Sequence, residues 1–291
     1  MNAAPVFDVI VCGSLHLDIV VHAKALPRLD ETAVGSAWEQ VCGGKGGNQA
    51  VQAARNGAKT AMIGRIGKDG FGETLLNNLN AVGIDSRMVR TDAVSGSGMS
   101  VAIVQNDGNY GAVFVSGSNL DIDPKTLAQS WRELGGAKAL VLQNEVPHAV
   151  NVAVAKAAHE AGAMVIFNAA PARPLLQDLS AEVDVLVVNR VEAEMISGLK
   201  VVDRAMAVGS LAALGAEQRA VIITLGGNGL VLKEKSRPAI EIEALAVKVT
   251  STHGAGDCFV GVLAASLARG MNLEEACRLA NEKAAAFVSG K

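Results

Sequence analysis

Val6-Phe7-Asp8-Val9-Ile10-Val11-Cys12-Gly13-Ser14 is a short apolar run that stops at a turn signal, and it reads as a buried first strand. Comparable runs recur at residues 60–66, 139–143, 164–168, 183–188 and 221–225. Between most of them apolar residues fall at helical spacing, over residues 48–56, 70–82, 147–161 and 203–214. Two more helical patterns, about 255–269 and 273–289, close the chain. Strands that alternate with helices of this length need crossover connections, so the pattern predicts a mostly parallel sheet with helices on both faces.

Two stretches break the alternation. Residues 18–41 and 87–115 alternate like strands, carry turn signals such as Asn106-Asp107-Gly108-Asn109, and hold no helical stretch. The expectation is one α/β domain over residues 1–291, with a small β lid formed by insertions at about 14–43 and 86–117. Such a lid over the ligand edge of the sheet would exclude water during chemistry. Two decorative hairpins are the plainer reading.

The chain has 291 residues, half of them hydrophobic, which suffices for a large core, and Ala, Val, Leu and Gly outnumber aromatics as close helix-on-sheet packing requires. A net charge of -3 points away from a nucleic-acid surface and from an anionic membrane. Cys12, Cys42, Cys258 and Cys277 are scattered, with no spacing for zinc or a disulfide framework, and read as reduced thiols of a cytoplasmic protein. No run approaches the length of a membrane span, and the start of the chain has no signal-peptide pattern. The five His are dispersed, without metal-ligand spacing.

The most informative segment for chemistry is Ser251-Thr252-His253-Gly254-Ala255-Gly256-Asp257, which leads straight into a helical pattern. Glycines let a tight turn gather backbone N–H groups at a helix N-terminus, where orphan donors and the helix dipole favour an anion. An Asp in the first turn would stand beside a bound phosphate, able to take a proton from an attacking hydroxyl. Asp257 as a simple helix cap is the competing reading.

A second glycine cluster, Gly43-Gly44-Lys45-Gly46-Gly47-Asn48-Gln49-Ala50, also precedes a helix. It is not a Walker A loop, because Gly46 stands where that motif needs Ser or Thr after Gly-Lys. A dinucleotide-binding fingerprint after the first strand is missing too, since Ser-Leu-His follows Gly13. Taken by itself, the cluster is equally a flexible turn with Asn48 as the helix cap.

Together, Gly-Gly-Lys-Gly-Gly-Asn-Gln-Ala near the start and Ser-Thr-His-Gly-Ala-Gly-Asp near the end resemble the two signatures of the ribokinase-like (PfkB) carbohydrate kinases. Asp18 after the first strand, Gln143-Asn144-Glu145, Asn168-Ala169-Ala170-Pro171, Asn189-Arg190-Val191-Glu192 and Thr224-Leu225-Gly226-Gly227 fall in the same order as that family's landmarks, from about Phe7 to the last residue. The resemblance implies a three-layer α/β/α fold with a mostly parallel sheet and a β lid. It implies ATP-dependent phosphorylation of a sugar primary hydroxyl, first of all ribose to ribose 5-phosphate, with Asp257 as base and the backbone of Gly254, Ala255 and Gly256 as anion hole.

By the same resemblance, Asn189 and Glu192 hold a magnesium–phosphate complex through water, and Thr224, Gly226 and Asn281 line the ATP site. Asp18, Gly44, Lys45, Asn48 and Glu145 would form the sugar pocket, whose carboxylates and amides suit paired hydroxyls. Lys45 and Glu145 pairing with each other, and Glu192 as an ordinary first-turn acid, are the alternatives. A homodimer through the lid is the partner implied.

Three departures from the family's pattern bear on function. His16 stands where the family usually has Asn; it is expected among the substrate-binding residues, and makes another sugar or a nucleoside a competing acceptor, or it only packs under the lid. Ser251 replaces an Asp that helps bind a monovalent cation, and the sequence stops at Ser289-Gly290-Lys291, before further cation-site residues, so potassium activation is not expected. These two departures also motivate a reading from another class, a catalytically silent sugar- or nucleotide-binding protein. Retention of Asp257 and the Gly-Ala-Gly turn opposes it, since binding alone needs no base.

Overall fold

Val9, Ile10, Val11 and Cys12 are all fully buried, which is why the first strand reads as a continuous apolar run rather than an alternating one. The structure is a computed structural model that describes residues 6–105, 109–217 and 219–290. Its elements run β1 (Phe7–Cys12), β2 (His16–Ala23), β3 (Gly35–Gly43), α1 (Lys45–Arg55), β4 (Thr60–Gly67), α2 (Gly70–Ala81), β5 (Asp85–Asp92), β6 (Gly98–Gln105) and β7 (Tyr110–Val115). There follow α3 (Leu127–Leu134), β8 (Ala137–Gln143), α4 (His148–Glu160), β9 (Met164–Asn168), α5 (Gln177–Ser180), β10 (Val185–Asn189), α6 (Arg190–Ser197) and α7 (Arg204–Ser210). Last come β11 (Ala220–Thr224), β12 (Leu230–Glu234), β13 (Ile240–Ile242), α8 (Ala255–Ala268) and α9 (Leu273–Val288).

Nine strands form the main sheet in the order β13-β12-β11-β10-β9-β8-β1-β4-β5, parallel except for β12 and β13. Side chains alternate across it, so each strand feeds two cores. Val9 and Val11 pack with Ala50, Ala53, Val260, Leu263 and Ala276 of α1, α8 and α9. Ile10 and Cys12 face the opposite way, onto Trp131, Leu134, Val150 and Val154 of α3 and α4. This is the three-layer α/β/α arrangement that the alternation of strands and helices predicts.

A second, four-stranded sheet, β3-β2-β6-β7, is built from the two insertions expected to form the lid. Its parallel pair, β2 with β6, joins the two insertions, and each insertion adds one antiparallel neighbour. The second insertion is shorter than expected: residues 87–92 belong to β5, which pairs with β4 at the edge of the main sheet. Alternation alone does not say which sheet a strand joins. The turn expected at Asn106-Asp107-Gly108-Asn109 lies largely outside the described residues.

Helix α1 starts at Lys45, inside the glycine cluster, and not at Asn48. Gly44 adopts φ 83°, a conformation that favours glycine. The Glu145 carboxylate supplies the missing N-terminal cap by accepting the Lys45 N–H at 2.8 Å. Helix α7 is shorter than its periodicity suggests, ending at Ser210 before a run of turns.

Candidate active site

The carboxyl ends of β9, β10 and β11 and the N-terminal ends of α1 and α8 meet at one place, as parallel sheets arrange their ligand edges. Two adjoining cavities open there, of about 660 and 280 Å³, with Asn189, Thr224, Thr252, Gly256 and Phe259 in both linings. Asn189 and Thr224 are register partners across β10 and β11, so a single sheet edge carries both.

The larger cavity has an apolar wall of Leu245, Val247, Val249, Ala284 and Val288, with Gly226 and Asn281 in the same lining. Its size and character suit a flat heterocycle. Asn281 is tied by its Nδ2 to the Glu243 carbonyl at 2.9 Å, which holds α9 to the loop carrying that wall.

The smaller cavity brings Lys45, Asn189, Glu192, Gly254, Gly256 and Asp257 together. Asp257 is nine-tenths buried, in the first turn of α8. Its Oδ2 accepts from Asn48 Nδ2 at 3.1 Å and its Oδ1 from Gln49 Nε2 at 2.9 Å. Burial pushes its carboxyl above the ordinary carboxylate range, opposed by the charge of Lys45 and by those two amide donors. The adjacent Cys258 thiol is pushed up to about 11 by burial, which leaves it protonated and inert.

Gly254 caps α8 at φ 77°, and Cys258 is the first residue to close a helical bond, onto the Gly254 carbonyl at 2.9 Å. The N–H groups of Gly256 and Asp257 therefore precede the helical ladder, where orphan donors and the helix dipole favour an anion. Ala255 is less available than expected, because its N–H leans on the Thr252 carbonyl at 3.3 Å.

Asn189 and Glu192 form a closed capping box at the start of α6. Glu192 Oε2 accepts the Asn189 N–H and Oε1 accepts Asn189 Nδ2, both at 2.7 Å, while Asn189 Oδ1 accepts the Glu192 N–H at 3.0 Å. Burial raises the Glu192 carboxyl, offset by the Asn189 donors and by Lys45. Glu192 is thus an N-terminal acid of its helix and also a wall of the cavity.

The residues expected to hold a sugar are spread along the lid root. Asp18 accepts from the Ser100 hydroxyl at 2.6 Å, across the β2–β6 pair. His16, two residues earlier on the same strand face, is buried, and among the described residues its Nε2 has no partner. Its ring lies 6.3 Å from that of Phe114. Neither His16 nor Asp18 lines the two cavities at the sheet edge. Glu145 meets Lys45 through the latter's backbone N–H, and its Oε2 also accepts the Ser14 hydroxyl at 2.5 Å. Among the described residues no ion pair joins the two side chains.

Sequence reasoning assigns no role to Gln49, Asn168 or Ser100. Gln49 does carry a signal: it is a polar residue beside Ala50 and Ala53 on the apolar stripe of α1. Ser100 carries none, since only the strand register sets it against Asp18.

Known proteins resemble this chain over nearly its whole length. A ribokinase of Bacillus subtilis is 33% identical over 281 residues, which cover 97% of this chain and 92% of that protein. A mouse ribokinase is 35% identical over 289 residues, 96% and 88% of the two chains. The structure of Arabidopsis thaliana ribokinase complexed with ribose and ATP superimposes with a TM-score of 0.88 at 28% identity, over 98% of this chain and 93% of that one. The profile of the pfkB family carbohydrate kinases matches residues 7–291, and the chain belongs to that family.

Proposed function

We propose that this carbohydrate kinase transfers the γ-phosphoryl group of ATP to the primary hydroxyl of ribose, giving ribose 5-phosphate and ADP, with Asp257 as general base. The observation that carries the reading is a buried carboxylate at the N-terminus of α8, beside the junction of the two cavities. The larger cavity takes the adenosine and directs the triphosphate toward Gly254, Gly256 and Lys45. Asp257 takes the hydroxyl proton as the oxygen–phosphorus bond forms and the bond to ADP breaks. The free N–H groups of the α8 turn and the Lys45 ammonium balance charge on the phosphoryl group in flight.

Magnesium fits the donors present when phosphate and water supply most of its ligands. Among the described residues no group of three or more His, Cys, Asp or Glu could hold an ion directly. Each Glu192 oxygen holds one donor and keeps a lone pair for a bound water. Asn189 and Glu192 would hold the hydrated ion, which would neutralise phosphate charge. Ser251 offers an exposed hydroxyl, already accepting the His253 N–H at 3.2 Å, where a monovalent cation would need a carboxylate. No step is assigned to such a cation.

Ribose is favoured as acceptor by the relatives, and the paired hydroxyl partners at Asp18 and Asn48 support a sugar. His16 keeps 2-deoxyribose, other pentoses and nucleosides in contention. A substrate panel with ADP release as readout tests the assignment: ribose is expected to give the highest kcat/KM. A nucleoside turned over with no free sugar accepted would sink it. Asp257→Asn is expected to lower kcat by roughly 10²–10⁴-fold with sugar KM little changed; unaltered kcat would remove Asp257 from the role of base.

No helix among the described residues is long and apolar enough to cross a membrane. With its four cysteines free, we place the protein in the reducing cytoplasm. A second copy of the chain, docked lid to lid, is its proposed partner.

A further inference from the structure

Gln49 is fully buried, lines neither cavity itself, and has both amide donors and its oxygen engaged. Its Nε2 donates to Asp257 Oδ1 at 2.9 Å and to Asn168 Oδ1 at 3.1 Å. Its Oε1 accepts from Gln143 Nε2 at 2.8 Å. Gln143 is itself fully buried at the end of β8, where its carbonyl accepts Asn151 Nδ2 at 2.7 Å. Asn168, at the end of β9, reaches the Val187 carbonyl with its Nδ2 at 3.3 Å. A row of amides thus links three neighbouring strands, through α1, to one carboxylate oxygen on α8.

The row has a direction. Turning the Gln49 amide over would set its oxygen against two acceptor oxygens, Asp257 Oδ1 and Asn168 Oδ1, a repulsive contact between buried groups even if Gln143, whose Oε1 is without a partner among the described residues, turned with it. The donor end is therefore locked toward Asp257. A locked donor stabilises the charged carboxylate, as does the Lys45 ammonium, against burial and the Glu145 and Glu192 carboxylates, which raise its proton affinity. It also fixes which oxygen is which: Oδ1 is taken by a fully buried partner, and Oδ2 faces Asn48, which is only half-buried.

We propose that Gln49 is the positioning residue of the base: held by Gln143 and Asn168, it keeps Asp257 ionised and presents Oδ2 as the atom that accepts the hydroxyl proton. This rests on the reading of Asp257 as base. Gln49 touches no substrate, so its effect must pass through Asp257.

The test is the pH dependence of kcat for the full-length enzyme with saturating ribose and magnesium–ATP. Gln49→Met keeps the volume and removes the donor. The acid limb of its profile is expected to move to higher pH, with kcat down by about tenfold near pH ~6 and recovering toward the alkaline side. Sugar and ATP KM values should stay within about twofold. Gln49→Glu, which sets a second carboxyl against the first, should move the limb in the same direction. A folded Gln49→Met enzyme with an unmoved acid limb overturns the proposal, whether or not kcat falls. Should neither variant fold, as judged by circular dichroism and thermal melting, Gln143→Met carries the test. It takes away the donor held by Gln49 Oε1 without touching Asp257, and so loosens the amide that faces the base; a limb shifted upward supports the proposal and an unshifted one overturns it. Asp257→Asn separates the two ideas. If it abolishes turnover while the Gln variants leave the limb in place, the positioning role alone fails; if it turns over normally, the base assignment fails.

Discussion

His16 Nε2 is a buried ring nitrogen without a partner among the described residues, and such an atom loses its water on folding and gets nothing back from them. Strand alternation sets it on the face that carries Asp18, whose Oδ1 is already held by Ser100. A sugar hydroxyl reaching that face would give the imidazole the partner it lacks. His16→Leu, close in size and without the nitrogen, is expected to raise sugar KM by roughly tenfold, the worth of one buried hydrogen bond, with ATP KM unchanged. Steady-state kinetics in each substrate checks it; an unaltered sugar KM would leave His16 as packing beneath Phe114. The two residues show what a sequence discloses at this scale. The glycine turn and helix start around Asp257 announce an anion site locally, while the choice of base over helix cap comes from the resemblance to the family's two signatures. The roles of His16 and Gln49 depend on partners more than 80 positions away, Phe114 for one and Asp257 for the other, and no local pattern encodes such pairings.

At the scale of elements, the start of α8 depends on Gly254. Its φ of 77° would strain any residue with a Cβ, and the ring of Phe287 on α9 lies 3.3 Å from where that Cβ would sit. Gly254→Ala is expected to destabilise the protein by about 1–2 kcal/mol, the cost of a left-handed conformation. It should also lower kcat by up to ~10²-fold, because the N–H groups that follow are displaced from the phosphoryl position. Denaturant melts and kcat at saturating substrates check the two halves, and full activity with the expected loss of stability would deny the turn its role. The alternation of strands and helices was readable along the chain because β1, β4, β8, β9, β10 and β11 are buried on both faces. Less was readable at the sheet edges. Strand β5 continues an alternating segment that otherwise belongs to the lid, and β12 and β13 are short antiparallel additions whose pairing lies in register, not in composition.

For the molecule as a whole, the lid is the element left without a complete partner. Ile19, Val21, Trp38, Val101, Val113 and Val115 share one face of its sheet by register, and Trp38, Val113 and Val115 are 66%, 72% and 53% exposed. A contiguous apolar face of this kind is costly in a monomer and invites association. Strands β3 and β7, at the two edges, carry free backbone groups that add to the tendency. A second copy of the same chain presents the same face, and a two-fold pairing would cover both at once. The protein is expected to sediment as a dimer at micromolar concentration, and Trp38→Lys with Val113→Lys to sediment as a monomer with unchanged circular dichroism. Both substitutions lie on the face opposite Asp18, Ser100 and Phe114, so they spare the side chains at the lid root. The monomeric variant should nevertheless show a raised sugar KM with ATP KM unchanged, because a lid without its partner holds Asp18 and His16 less firmly over the acceptor. A wild-type protein that sediments as a monomer, or a double variant that remains dimeric, would place the contact elsewhere and leave the lid to close over the sugar alone.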